Sequence, residues 1–176
     1  STLISIIGLL LQPSSGQVIL DGENISALPD CEKARIRNQM FGFVFQYSQL
    51  IGSLSVLENV MIPALLAKDS GKQAYAKALL EQFGLADRMH YYPHQLSLGQ
   101  LRRASLARAV LMNPPFLFAD EPTNDLDQKN ADEVARFLLE YPTQDKALVL
   151  VTHDAELAAK TQFHYQINTS GALCQV

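Results

Sequence analysis

The chain has little that would bind nucleic acid, cross a bilayer or cross-link itself. Its 14 Lys and Arg face 18 Asp and Glu, a formal charge of −4. It therefore lacks the basic excess of a protein whose main role is to hold nucleic acid, and none is expected as a partner. Only two cysteines are present, Cys31 and Cys174, far apart and without metal-type spacing. Reduced thiols in a cytoplasmic protein are the expectation. No apolar run approaches the roughly 20 residues that span a bilayer. The stretch Leu3–Leu11 is nearly all apolar, but no basic segment precedes it, so it is a poor signal peptide. It reads as a helix buried on most sides. Internal repeats, low-complexity tracts and coiled-coil heptads are lacking, and so is an initiating Met. The last absence reads as a fragment or a partial gene product.

What remains is ordinary globular material. At 176 residues, with 48% hydrophobic and 18% charged residues, one domain with a real core is expected. Gln12–Gly16 is a turn cluster, Gln17–Leu20 a strand and Asp21-Gly22 a hairpin signal. Cys31–Gln39 reads as a helix and Phe41–Phe45 as a buried strand ending at Gln46. Helical patterns then take over. Val56–Leu66 contains Pro63, where a kink or break is expected. Lys72–Phe83 places Ala76, Leu79, Leu80 and Phe83 on one face before Gly84. Leu98–Met112 reads as a helix exposing Arg102, Arg103 and Arg108. Strand and helix then alternate: Phe116–Asp120, Lys129–Leu139, Ala147–Thr152, Ala155–Lys160. Two weaker strands, His164–Ile167 and Leu173–Val176, flank Gly171. Such alternation predicts a mainly parallel sheet covered on both faces, with a helical stretch, 47–115, inserted.

Two segments carry the chemistry. Leu96-Ser-Leu-Gly-Gln100 is a small-residue loop opening a helix, able to offer backbone N–H groups to an anion. Twenty residues on, Phe116-Leu-Phe-Ala-Asp-Glu-Pro-Thr123 is an apolar run ending in adjacent carboxylates. Side chains at Asp120 and Glu121 point in different directions at a strand end. One can hold Mg²⁺ through water while the other orients and deprotonates an attacking water.

Together these segments resemble the signature loop and Walker B strand of ATP-binding cassette (ABC) ATPases, and the resemblance covers essentially the whole chain. It is closest to the lipoprotein-releasing and MacB-like branch, through Arg35-Ile-Arg-Asn38, Phe41-Gly-Phe-Val-Phe-Gln46, Leu57-Glu-Asn-Val60 with Pro63, and Asn124-Asp-Leu-Asp127. Leu98 departs from the family's first signature glycine. The resemblance implies a P-loop NTPase fold: an α/β core from 1–46 and 116–176 around a helical subdomain, 47–115. It also implies ATP and Mg²⁺ as cofactors. Glu121 becomes the catalytic base, His153 a γ-phosphate contact and Gln46 the Q-loop glutamine near Mg²⁺ and the attacking water. Asp120 and Ser1 become Mg²⁺ ligands, and Thr2 lies near the α-phosphate. Ser97, Gly99 and Gln100 bind nucleotide across a dimer whose halves communicate through Asp127.

As partners, the resemblance implies an integral-membrane permease and an ATP-dependent homodimer. The location implied is peripheral, on the cytoplasmic face of the bacterial inner membrane. The apolar stretch Tyr47–Leu66, with Leu50, Ile51, Leu54 and Val56, is the expected permease dock. Lipoprotein release and macrolide- or peptide-type export are the implied tasks. Ser1-Thr2 would directly follow the Gly-Lys of the phosphate loop, which this sequence does not contain. The complete protein is therefore expected to be an ATPase and this chain alone inactive. Two other readings compete: a degenerate, non-catalytic ABC module, and a non-transport ABC ATPase acting on nucleic acid or ribosomes.

Overall fold

The structure is a computed structural model, and residues 1–168 and 171–175 are described. Its elements in chain order are α1 (Thr2–Ile7), β1 (Ile19–Leu20), β2 (Glu23–Asn24), α2 (Asp30–Met40), β3 (Phe41–Val44), α3 (Val56–Leu66), α4 (Gln73–Gln82) and α5 (Leu98–Val110). There follow β4 (Phe116–Asp120), α6 (Gln128–Glu140), β5 (Ala147–Val151), α7 (Ala155–Ala158), β6 (Tyr165–Ile167) and β7 (Leu173–Gln175). Val176, the last residue of the expected final strand, lies outside the described residues.

The apolar runs form the central sheet. β3, β4 and β5 pair in parallel in that order. Phe41 faces Phe116, which faces Ala147. Val44 faces Ala119, and Asp120 faces Val151. All three strands therefore end on one edge, where Gln46, Glu121 and His153 follow. The edge outside the carboxyl ends is where open α/β sheets bind ligands. β1–β2 and β6–β7 are separate antiparallel ribbons.

Each sheet face has its own core. On one, Val44, Leu117 and Ala119 pack with Val56 and Val60 of α3, Leu79 and Leu80 of α4, Leu106 and Val110 of α5, and Leu138 of α6. The helices between β3 and β4 thus share one continuous core with the sheet. On the other face Ile4, Leu9, Ile25, Phe41 and Phe118 cluster. Here Phe41 meets Phe118 edge-on at 5.3 Å and Phe43 stacks on Phe118 at 5.4 Å. Gly42 lets α5 close on β3. A Cβ there would lie 2.4 Å from the carbonyl oxygen of Ala109, so any side chain would push helix from sheet.

Three expectations need correction. The Leu3–Leu11 helix stops at Ile7, and Leu9 turns into the left-handed region at φ 59°. The amides of Leu10 and Leu11 both return to the Ser5 carbonyl, which leaves these two leucines exposed. Within the helix only Ile4 is fully buried. An apolar run shows that a segment is sticky but not where it reverses. α3 is not broken at Pro63 but runs on to Leu66, and the Pro63 carbonyl accepts from Asn38 Nδ2 at 3.1 Å. Finally, the α5 arginines are not a solvated face. Arg102 is buried and Arg103 and Arg108 are half-buried, because backbone carbonyls and side chains of other segments accept from their terminal guanidinium nitrogens.

Among the described residues no helix is long and apolar enough to cross a membrane. Both cysteines are free and exposed.

Candidate functional site

At the carboxyl edge, β4 delivers Asp120 and Glu121. Asp120 is buried, and its Oδ1 accepts no hydrogen bond from the described residues. The Ser1 nitrogen lies 3.5 Å from it. A buried carboxylate oxygen without a donor is costly. It is also what a hard cation needs, and Mg²⁺ is commonly held by one or two protein groups plus phosphate and water. The unpartnered Asp120 Oδ1, beside the start of α1, thus fits one side of a Mg²⁺ site. No cluster of three or more His, Cys, Asp or Glu occurs among the described residues.

Glu121 sits where the chain leaves the strand, at φ 46°, a conformation unusual for a residue with a side chain. Its amide is fixed to the Val151 carbonyl at 2.8 Å. Its Oε2 lies 2.9 Å from His153 Nδ1 and accepts from Thr152 Oγ1 at 3.3 Å. The turn sends Asp120 inward and Glu121 toward the end of β5.

The Glu121 partnership raises the His153 pKa, first by the hydrogen bond and then by charge attraction. The folded value therefore exceeds the unfolded one, near 6.5. The pair's stabilisation is complete below the unfolded value and is lost as pH rises through the folded value. An NMR titration should show the His153 ring titrating above the ordinary histidine value. Glu121→Gln should move its midpoint down. An unmoved midpoint would mean that the two side chains do not pair in solution.

Ser97 and Gln100 form a capping box at the start of α5. The Gln100 amide donates to Ser97 Oγ at 3.3 Å, and Gln100 Oε1 accepts from the Ser97 amide at 2.9 Å. This leaves the first helical N–H groups, at Leu98 and Gly99, without intrahelical partners and able to meet an anion. Gly99 is buried, and a Cβ there would fall 2.3 Å from Asn130 Oδ1. Close packing of α5 on α6 is thus a reason for glycine that the sequence does not display.

Asn130 is held in turn. Asp127 caps α6 by accepting from the Asn130 amide at 3.0 Å and its side chain at 2.6 Å, which lowers the Asp127 pKa. Arg103 Nη1 donates to Asn130 Oδ1 at 2.7 Å and pairs with Glu133 at 2.8 Å. Gly99→Ala should therefore destabilise the fold by about 1–3 kcal/mol, although alanine is the better helix former. In an Asn130→Ala background the same change should be neutral or stabilising. Thermal melts of the four variants check this. Equal costs in both backgrounds would exclude the contact as the cause.

The candidate residues thus fall into two groups. Ser1 lies against Asp120, and Glu121, the next residue, pairs with His153; Ser97 and Gln100 pair with each other at the start of α5, where Gly99 packs on Asn130, which Asp127 holds. Thr2 opens α1 beside Ser1, and Gln46 follows β3, half-buried. Arg102, expected from the sequence on an exposed face, is instead buried and donates to the backbone oxygens of Phe45, Gln46 and Asn124.

A parallel α/β sheet that ends in a paired glutamate and an orphaned aspartate defines a P-loop-type nucleotide-binding domain. Comparison with known proteins specifies the family. Residues 1–124 match the family described as "ABC transporter". The lipoprotein-releasing system ATP-binding protein LolD of Bdellovibrio bacteriovorus is 43% identical over 163 residues, covering 91% of this chain and 74% of that protein. The macrolide export ATP-binding/permease protein MacB of Marinobacter nauticus is 44% identical over 90% of this chain but only 25% of its own length. A dimeric ATP-binding cassette solved in a post-hydrolysis state with ADP and phosphate superposes with a TM-score of 0.80 at 32% identity, covering 92% of this chain and 73% of that one. The chain belongs to the ABC transporter family, as an ATP-binding domain of the LolD and MacB type.

Proposed function

We propose that this chain is part of the motor of a membrane transporter that releases lipoproteins or exports macrolide- or peptide-type compounds. It docks on a permease at the cytoplasmic face of the inner membrane and dimerises on binding ATP. The observation that carries the reading is the division of labour at the sheet edge. One carboxylate is buried without a donor, and its neighbour is paired with histidine.

In this reading Asp120 and Ser1 would hold Mg²⁺, with Gln46 nearby, and the bound ion would supply positive charge to the phosphates. Glu121 orients a water against the γ-phosphorus and takes its proton as the new P–O bond forms. The bond to the bridging oxygen breaks, and ADP and phosphate leave. His153 holds Glu121 and donates toward the γ-phosphate. Ser97, the free N–H groups beside Gly99, and Gln100 receive the γ-phosphate bound to the partner subunit, near Asp127. The helical stretch 47–115 acts as a subdomain that transmits this closure. Phosphate release by the full-length subunit with its permease is the direct test. No stimulation by Mg²⁺ and ATP would refute the reading.

The surface of 47–66 supports the docking expectation with one change. Tyr47 and Ile51 are 71% and 47% exposed, whereas Val56 is buried and Leu50 packs against the core. Ile51→Glu should abolish permease co-purification while leaving ATP hydrolysis by the isolated subunit unchanged. Leu50→Glu should cost about 1–3 kcal/mol of stability instead. Retained co-purification with Ile51→Glu would place the dock elsewhere.

A further inference from the structure

Arg102 has no part in the scheme above, yet it is only 4% exposed. Its guanidinium spans two loops distant in sequence. Nη1 makes a close contact with the Phe45 carbonyl. Nη2 donates to the Gln46 carbonyl at 2.5 Å and reaches the Asn124 carbonyl at 3.5 Å. Gln46 begins one loop. Asn124 lies in the turn between Glu121 and Asp127. Six residues further along α5, Arg108 donates to the carbonyls of Gln49 and Ser48 at 2.8 and 3.1 Å, which holds the far end of the first loop.

We propose that Arg102 is a positioning residue that locks the Gln46 loop to the turn carrying Glu121, so that water-orienting glutamine and base are set by one guanidinium on the helix that Ser97 opens. The inference rests on the functional reading above. The physical case is a matching of the two terminal guanidinium nitrogens to acceptors, with Nε left buried and unpartnered. Three backbone oxygens from two segments converge on a planar fork of donors, which a lysine ammonium cannot match in one plane. Burial lowers the Arg102 pKa and the Asp125 carboxylate opposes that shift, so the cation is held by carbonyl dipoles and one nearby acid. Gln46 has no side-chain hydrogen bond among the described residues, so its aim depends on its backbone. Loosening the fork frees the Gln46 end of the first loop and the Asn124 turn together, while Arg108 still holds Ser48 and Gln49.

The test uses the full-length protein with Arg102→Met and Arg102→Lys, and Arg102→Gln if the methionine variant does not fold. Without nucleotide, amide hydrogen exchange should rise about 10-fold in both 45–50 and 122–126, and stay unchanged in α3 and α4. With MgATP, kcat should fall by about 10²-fold, as for a misplaced catalytic group, with KM for ATP within about 3-fold. The lysine variant should be intermediate. Wild-type exchange in either segment of a folded variant overturns the proposal. So does faster exchange throughout the helical core, or a fall in kcat matched by a rise in KM. If the wild-type protein hydrolyses no ATP, the functional reading fails, and the exchange measurement alone decides whether Arg102 ties the loops.

Discussion

Glu121→Gln in the full-length protein is expected to slow ATP hydrolysis by about 10²–10⁴-fold, the usual loss when a positioned general base is removed. The swap is nearly isosteric. The backbone at φ 46° and the hydrogen bond from the Glu121 amide to the Val151 carbonyl do not depend on the carboxylate, so the fold should be retained. The side chain also loses a negative charge that would lie beside the γ-phosphate. Nucleotide affinity should therefore hold or rise, and the ATP-bound dimer should accumulate because its exit by hydrolysis is blocked. Size-exclusion chromatography with and without MgATP reads the second effect, and steady-state phosphate release the first. Wild-type turnover would remove Glu121 from the role of base. Slow turnover without a dimer would separate the chemistry from the assembly.

How far the sequence alone carried this reading depended on the range of the interactions. Phe116–Asp120 and Ala147–Val151 were legible as strands because a run of four or five apolar residues bounded by polar ones has few other solutions in a parallel sheet. The acids at the end of the first and the histidine after the second follow from those strands. Their pairing does not. It needs the register that sets Asp120 opposite Val151 and the left-handed turn at Glu121, neither of which has a local signature. The α5 arginines show the opposite failure. Arg102, Arg103 and Arg108 read as solvated because charge usually faces water. Arg102 is buried by carbonyls more than fifty residues upstream, a fact of packing invisible to helical periodicity. Gly99 likewise carries a packing reason that rests on Asn130, thirty-one residues later.

A polypeptide of residues 1–176 alone should release no measurable phosphate from ATP. Extending it ahead of Ser1 with a glycine-rich loop ending in Gly-Lys, and with the strand that leads into such a loop, should restore turnover. The argument is electrostatic. In the proposed function Asp120 and Glu121 lie beside the bound phosphates, and Asp127, Asp154 and Asp125 lie in the adjoining turns. Unit charges about 4 Å apart cost about 4 kcal/mol at an effective dielectric of 20. Mg²⁺ and His153 offset part of this. A phosphate-binding loop adds a lysine and several backbone N–H groups, and hydrogen bonds involving charged groups contribute about 1.5–3 kcal/mol each. Three such bonds alone amount to a factor of at least about 10³ in affinity at 1.4 kcal/mol per tenfold. The sheet can accept the added strand. Among the described residues β5 pairs only with β4, and Leu148, Val149, Leu150 and Val151 are no more than half-buried. An open apolar edge of this kind favours pairing. Phosphate release and fluorescent-nucleotide binding on the two polypeptides side by side decide the matter. Equal activity would mean that the phosphates are held by residues within 1–176, and the cradle would have to be sought at the start of α5.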